Sequence, residues 1–323
     1  MADLRRDLCK RALHRMLTVL AVVCLPIIAQ AADPMHEGAR AWRNGQYPAA
    51  LRLFDKAAQR GDSNAQWLLG RLLRDGTRTA RDPARARQWL ERAALQGHAG
   101  AQSDLGSLLL ESRDPTPDYA AARRWLEAAA EDGDVQARWR LGQLHEQGLG
   151  VAPDGARAAR WYRMAAAQGG VEASYRLGRL YYDGRALAQD QAMAAQWYER
   201  AARRGHPDAQ LRLAAMLEHG YGIARNTALA ARWYERAALQ GVAWAQFAFA
   251  GLLEQGDGVA ASDPLAYQWL LLAADGADAA TGPWNVDAAL TRIGARLSDP
   301  QKAAADRWLR AWRNNERRPP RAL

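Results

Sequence analysis

Cysteine is almost missing from this 323-residue chain, which holds only Cys9 and Cys24. Both lie ahead of Ala31, so a chain cut after that residue has no thiol, which excludes disulfide staples, a cysteine nucleophile and a thiolate metal site. Lysine is nearly as scarce, with Lys10, Lys56 and Lys302 the only three, so the cations are arginines. The apolar run from Met16 to Ile28 is shorter than the roughly 20 residues that a spanning helix requires, so an integral membrane protein is not expected. The formal charge of +9 is also less than it looks. Residues 1–31 carry five basic and two acidic groups, and from Pro300 onward seven basic residues stand against Asp306 and Glu316. The body between is close to neutral, which does not suit a protein that grips a phosphate backbone, so nucleic acid is not an expected partner.

The first segment orders its residues as a secretory signal does. Arg5, Arg6, Lys10, Arg11 and Arg15 precede the apolar run, and Ala29-Gln30-Ala31 follows it, so export to the periplasm with cleavage after Ala31 is expected. A lipid anchor at Cys24 is the rival reading. It is the weaker one, because Val23 is bulkier than the small residue that usually precedes an acylated cysteine. Arg5-Arg6 faintly resembles a twin-arginine signal, but the strongly apolar core favours the general secretion route.

What the chain has in abundance is repetition. Leu53, Trp89, Trp125, Trp161, Trp197, Trp233 and Trp269 recur at a fixed step of 36 residues, and four residues after each comes an Ala-Ala pair, from Ala57-Ala58 to Ala273-Ala274. A period in this range means stacked helix pairs that share one continuous core. Helix A of each unit carries Ala65, Leu69 and Leu72 and their equivalents on one stripe. A bulk-free column beside it (Gly70, Gly106, Gly142, Gly178, Ala214, Ala250) is expected to let two helix backbones approach. Gly76, Gly148, Gly184, Gly220 and Gly256 suit the left-handed end of helix A. Asp82, Asp118, Asp154, Asp190 and Asn226 suit the start of helix B. Helix B ends at Gly61, Gly97, Gly133, Gly169, Gly205 and Gly241.

The expected fold is therefore all-α, a right-handed α-solenoid of about seven antiparallel helix pairs with C-terminal capping helices. Its divisions are a signal (1–31), a first tetratricopeptide-like pair (32–62), the repeat solenoid (63–276), capping helices (277–316) and a basic disordered tail (317–323). Leu290, Ile293, Leu297, Trp308, Leu309 and Trp312 are expected to cover the last open face.

The columns A-x-x-x-L-G, G-x-G-V, an aspartate, then A-x-x-W-Y-x-x-A-A-x-x-G resemble the Sel1-like repeat, a relative of the tetratricopeptide repeat. The fullest match runs from Ala137 to Gly169, with Gly148-Leu149-Gly150-Val151 and Trp161-Tyr162; Gly220-Tyr221-Gly222-Ile223 with Trp233-Tyr234 is close to it. The resemblance covers Ala65 to Ala274. Two repeats depart from it: residues 112–117 replace the glycine loop with Ser-Arg-Asp-Pro-Thr-Pro, and Gly184-Arg185-Ala186 lacks the second glycine. It implies an adaptor that holds other proteins together, in bacteria often in the envelope, similar in layout to periplasmic scaffolds and regulators of exopolysaccharide secretion. A cysteine-rich branch associated with penicillin-like compounds staples its helix pairs with disulfides, and without cysteines that activity is not carried over.

Each candidate site has a bland competitor. The G-x-G sequences follow a helix rather than a strand, so they read as tight turns and not as phosphate cradles. The tryptophan column Trp89, Trp125, Trp161, Trp197, Trp233 and Trp269 reads as packing beside the alanines, with a sugar-stacking row as the alternative. His36, His98, His145, His206 and His219 have no metal-ligand spacing, and His98 and His206 are placed to cap the following helix. No serine, histidine and aspartate arrangement stands outside the repeat columns. Neither a catalytic role nor a cofactor is expected.

More suggestive are two variable columns on helix A. One reads Trp67, Ser103, Trp139, Tyr175, Leu211, Phe247; the next reads Leu68, Asp104, Arg140, Arg176, Arg212, Ala248. Aromatic anchors beside arginines would make a protein-binding groove, with inter-repeat packing and surface ion pairs as the competing reading, the favoured one for the aromatics. Trp67, Trp139 and Tyr175 are the groove's expected anchors, and Arg140, Arg176 and Arg212 would form a ladder at steps of about 10 Å for an acidic segment of an envelope protein. Polysaccharide is the alternative ligand, bound by an accessory of a cell-wall enzyme.

Overall fold

The computed structural model describes residues 33–111, 118–184, 187–275 and 285–316. The expected signal, the cysteines, the departures at 112–117 and 185–186, and the basic tail lie outside the described residues. Within them the chain is all-α, with sixteen α-helices in consecutive antiparallel pairs, and it divides into two compact units, Met1–Asp132 and Gly133–Leu323. Unit 1 holds α1 (Pro34–Arg43) with α2 (Tyr47–Gln59), α3 (Ser63–Asp75) with α4 (Pro83–Leu95), and α5 (Ala99–Glu111) with α6 (Tyr119–Glu131). Unit 2 holds α7 (Val135–Gln147) with α8 (Gly155–Ala167), α9 (Val171–Asp183) with α10 (Gln191–Ala202), α11 (Pro207–His219) with α12 (Thr227–Leu239), and α13 (Ala243–Gln255) with α14 (Asp263–Asp275). Two closing helices, α15 (Val286–Gly294) and α16 (Asp299–Ala311), pack on α14.

The helix ends follow from short side chains and glycine. Asp82, Asp118, Asp154, Asp190 and Asn226 each accept the backbone N–H three residues on, at 2.9–3.0 Å, a cap of about 1 kcal/mol. Gly76, Gly148, Gly184, Gly220 and Gly256 close helix A in the left-handed region, at φ from 66° to 77°. Gly97, Gly133, Gly169, Gly205 and Gly241 turn the chain after helix B with φ from 80° to 93°. The second glycine of the G-x-G loop has a further reason. A Cβ on Gly222 would overlap the backbone of Gln191 and Ala192, so the loop of one repeat lies directly on the start of helix B in the repeat before it.

The alanine columns Ala50, Ala86, Ala122, Ala158, Ala194, Ala230 and Ala266 are fully buried. The tryptophan column packs beside these alanines but is not the deepest one. Trp89, Trp233 and Trp269 are buried, but Trp125, Trp161 and Trp197 are only half-buried. The next position, Phe54, Leu90, Leu126, Tyr162, Tyr198, Tyr234 and Leu270, is at most 2% exposed in every pair. One residue along a helix is a rotation of about 100°, enough to move the tryptophan from the centre of the pair to its edge. There Arg92, Arg200 and Arg236 lie over Trp89, Trp197 and Trp233, 4.6–5.6 Å from the ring centroids, as cation–π pairs.

The helix A glycines seat this deeper column. A Cβ at Gly142 would strike the Tyr162 ring, and one at Gly178 the Tyr198 ring, so a side chain more than a backbone fills the space. At the C-terminal end Ile293, Leu297 and Leu309 are buried against α14, with Leu290, Trp308 and Trp312 partly so.

Candidate functional site

The two variable columns of helix A lie beside the core stripe, and each unit uses them differently. In unit 1, Trp67 donates its Nε1 proton to Asp104 Oδ2 at 2.7 Å, and Arg74 Nη1 reaches Asp104 Oδ1 at 2.7 Å, with Arg71 at 3.6 Å. Burial opposes the charge on Arg74, but bonds to Asp75 and Asp104 outweigh it and hold its pKa above the ordinary value. Trp67 is thus bonded within its own unit.

In unit 2 the remaining expected residues sit along α7, α9 and α11. Arg140 lies 4.6 Å from the Trp139 ring centroid and donates to Gln143. Arg176 donates to Glu172 Oε1 at 2.9 Å, one turn back on its own helix, and also feels Glu146. Glu172 is an i,i+4 partner on the same helix. Glu172 in turn accepts from His206 Nε2 at 3.0 Å. That bond, with Arg176, holds the carboxyl below its usual pKa against the effect of burial. His206 Nδ1 accepts the Ala209 N–H, which leaves the proton on Nε2, and its ring stacks on Tyr175 at 4.3 Å. Burial is the main cause raising the Tyr175 pKa, with the Asp208 charge next; Arg212, Arg179 and Arg176 oppose it. Arg212 is exposed and makes no ion pair among the described residues. The expected ladder is therefore not uniform: Arg140 and Arg176 are engaged by their neighbours.

Next to Arg212 lies a hollow of about 290 Å³ between α11 and α13. Its walls include Leu211 and Phe247 of the aromatic column, with Trp244, which is 44% exposed, and the Tyr234–Glu218 hydrogen bond at 2.7 Å. It is open because the helix A columns shrink to Ala215, Ala248 and Gly251 in the last two repeats. The hollow combines an apolar bowl with Arg212 and with Glu218, which Tyr234 engages, a pattern suited to a side chain of a partner. Trp244 was not singled out from sequence, although its place three residues before Phe247 puts both on one helix face.

Two further features escaped the sequence reading. Gln66, Gln102, Gln210 and Gln246 are buried, and each donates to the carbonyl of the second alanine of the preceding Ala-Ala pair, at 3.0–3.3 Å. Tyr162 and Tyr234 donate to Glu146 and Glu218 at 2.6 and 2.7 Å. Among the described residues no cluster of His, Cys, Asp and Glu is placed to hold a metal ion, and no helix is long and apolar enough to cross a membrane.

Comparison with known proteins follows the same register. The Sel1 repeat matches residues 43–62, 63–98, 99–134, 135–170, 171–206, 207–242 and 245–278. The chain is similar in structure to a protective antigen present in uropathogenic Escherichia coli strains that displays an SLR fold. The identity is 30% and the TM-score 0.71, over 79% of this chain and 56% of that one, so the chain spans little more than half of the antigen's length. It is also similar to a Sel1 repeat protein from Oxalobacter formigenes, at 28% identity and a TM-score of 0.64, over 75% of this chain and 97% of that one. No curated protein matches the chain.

Proposed function

From the premise that this chain belongs to the Sel1 repeat family, whose helical members typically serve as protein-interaction scaffolds, we propose that it is a non-catalytic scaffold exported to the periplasm. There it holds proteins of an envelope assembly, with exopolysaccharide secretion or its regulation as the pathway class. One observation carries this reading. The face of α11 and α13 presents Arg212, Trp244 and Phe247, side chains that vary while the core columns stay fixed, around a hollow sized for a side chain. A row of sugar-stacking rings fits less well, since Trp89, Trp233 and Trp269 are buried and Trp197 lies against Arg200.

Photocrosslinkers placed at Trp244 and at Arg232, on the helix B surface, test the proposal in intact cells. The expected outcome is a discrete adduct with an envelope protein from Trp244 alone, on a chain whose N-terminus is Ala32. A chain that stays cytoplasmic and uncut, or no adduct from Trp244, would overturn it. Retention of the purified protein on insoluble peptidoglycan without other proteins would favour the glycan alternative.

A further inference from the structure

The seat that Asp104 occupies in unit 1 recurs in unit 2 with its charge reversed. A step of 108 residues, three repeats, carries Trp67 to Tyr175, Arg71 to Arg179 and Asp104 to Arg212. The supporting frame is retained across that step. His98 lies beside Trp67 at 5.0 Å, accepts the Ala101 N–H and meets Asn64 at 3.2 Å. His206 lies on Tyr175 at 4.3 Å, accepts the Ala209 N–H and meets Glu172 at 3.0 Å. What differs is the centre and one arm: a carboxylate bound by an indole and arginines in one case, an arginine beside a tyrosine and another arginine in the other, with Tyr182 in the place of Arg74.

The intermediate copy shows how an arginine in this column is ordinarily accommodated. Arg176 stands two repeats after Asp104, and Glu172 and Glu146 neutralise it. Trp139, the counterpart of Trp67 there, has its Nε1 buried with no hydrogen-bond partner, the cost of losing the carboxylate. At Arg212 no ion pair of that kind forms among the described residues, although the Asp208 charge acts on the neighbouring Tyr175. Asp208 and Asp183 stand one turn from Arg212 and Arg179 on their own helices, yet neither forms an ion pair with them among the described residues. The Tyr175 hydroxyl likewise makes no hydrogen bond among the described residues. Two guanidinium groups that form no ion pair among the described residues therefore act on one phenol, and Arg212 also lines the hollow with Trp244 and Phe247.

We infer that the corner formed by Tyr175, Arg179 and Arg212 receives the carboxylate of an acidic side chain from a partner polypeptide, whose neighbouring bulky apolar side chain enters the hollow beside Trp244 and Phe247. This rests on the scaffold reading and specifies what the scaffold holds. The carboxylate supplies in trans what Asp104 supplies within unit 1. It accepts charge-assisted hydrogen bonds from two guanidinium groups, which present fixed forks of donors suited to it. The apolar side chain adds burial without charge requirements.

The test is fluorescence anisotropy on the purified protein with terminally blocked, fluorescein-labelled octapeptide pools that carry a central Glu-x-Phe, Gln-x-Phe or Glu-x-Ser. Glu-x-Phe is expected to bind, with each control pool about tenfold or more weaker, the loss that goes with a charged hydrogen bond or a buried ring. Arg212→Gln and Arg179→Gln should each weaken Glu-x-Phe by about tenfold, with melting unchanged, whereas Arg232→Gln should have no effect. Arg212→Asp puts a carboxylate in that seat, as in unit 1, and should lose binding without lowering the melting temperature. Equal binding of Gln-x-Phe and Glu-x-Phe, full affinity in Arg212→Gln or Arg212→Asp, or no binding by any pool would overturn the inference. The in-cell crosslink separates the two levels. An adduct from Trp244 that persists in the Arg179→Gln, Arg212→Gln double variant leaves the scaffold reading standing and removes this one, and no adduct from the wild type removes the scaffold reading itself.

Discussion

At the scale of single residues, the stability of each pair is concentrated one position after the residue that marks it in the sequence. Tyr162 is fully buried, fills the space that Gly142 leaves, and donates its hydroxyl to Glu146 at 2.6 Å. Burial, reinforced by Glu146, raises the tyrosine's pKa far above its ordinary value, so the hydroxyl remains a donor throughout the usual pH range. Tyr162→Ala should cost about 3–5 kcal/mol, as a large ring deleted from a core does. Tyr162→Phe should cost about 1–2 kcal/mol, the worth of a hydrogen bond to a carboxylate less the packing retained. Trp161→Ala should cost less than Tyr162→Ala, about 1–2 kcal/mol, because the indole is only half-buried and less area is lost. Urea denaturation of the three variants checks the order. A Trp161→Ala cost above that of Tyr162→Ala would return the tryptophan to the centre of the core.

At the scale of helices, the legible part of the structure was whatever repeats in sequence as a fixed residue type. The 36-residue period, the alanine columns, the aspartate caps and the glycine ends are local or nearly local, and each helix lies where they place it. Less legible were bonds between neighbours in space. The tie of Arg176 to Glu172 was one turn away and was passed over, and nothing local shows that Arg140 folds onto Trp139. The glutamine column is the clearest case. Gln66, Gln102, Gln210 and Gln246 are interrupted by Arg138 and Ser174, so they look like a variable surface, yet they satisfy the orphan carbonyls that every helix B leaves at its end. Gln210 donates to the Ala202 carbonyl at 3.1 Å and accepts from Gln240 at 2.7 Å, whereas Gln246 donates only to Ala238. Gln210→Leu should therefore cost about 1–3 kcal/mol by leaving buried groups unpaired, and Gln246→Leu should cost less. Chemical denaturation midpoints measure both, and equal costs would mean that the Gln240 bond contributes nothing.

At the scale of the whole molecule, a chain of repeats is as stable as its terms and interfaces allow, and an open end is where it can unravel. The end of unit 2 is closed by α15 and α16 on α14, and electrostatics adds to that apolar contact. Glu254 accepts from Nε and Nη2 of Arg292, at 2.9 and 2.7 Å, and from Arg296 at 2.8 Å; Arg296 also grips Asp263 at 2.7 and 2.8 Å. The bond to Arg292 is the largest cause, with Arg296 next and burial opposing, that takes the Glu254 pKa down to about 2. An unfolded glutamate titrates near pH 4.3, so the folded state binds fewer protons between those values. The stabilisation is then complete above about pH 5 and is lost as pH falls towards 2. Glu254→Gln should melt below the wild type at neutral pH, and the gap between them should narrow through pH 4 and close near pH 2. Salt should shrink the neutral gap as well, because Arg292 and Arg296 are about half exposed, at 56% and 42%, and exposed partners are screened. A gap that stays constant from pH 7 to 2 would show that the closing helices are held by Ile293, Leu297 and Leu309 without help from the ion pairs.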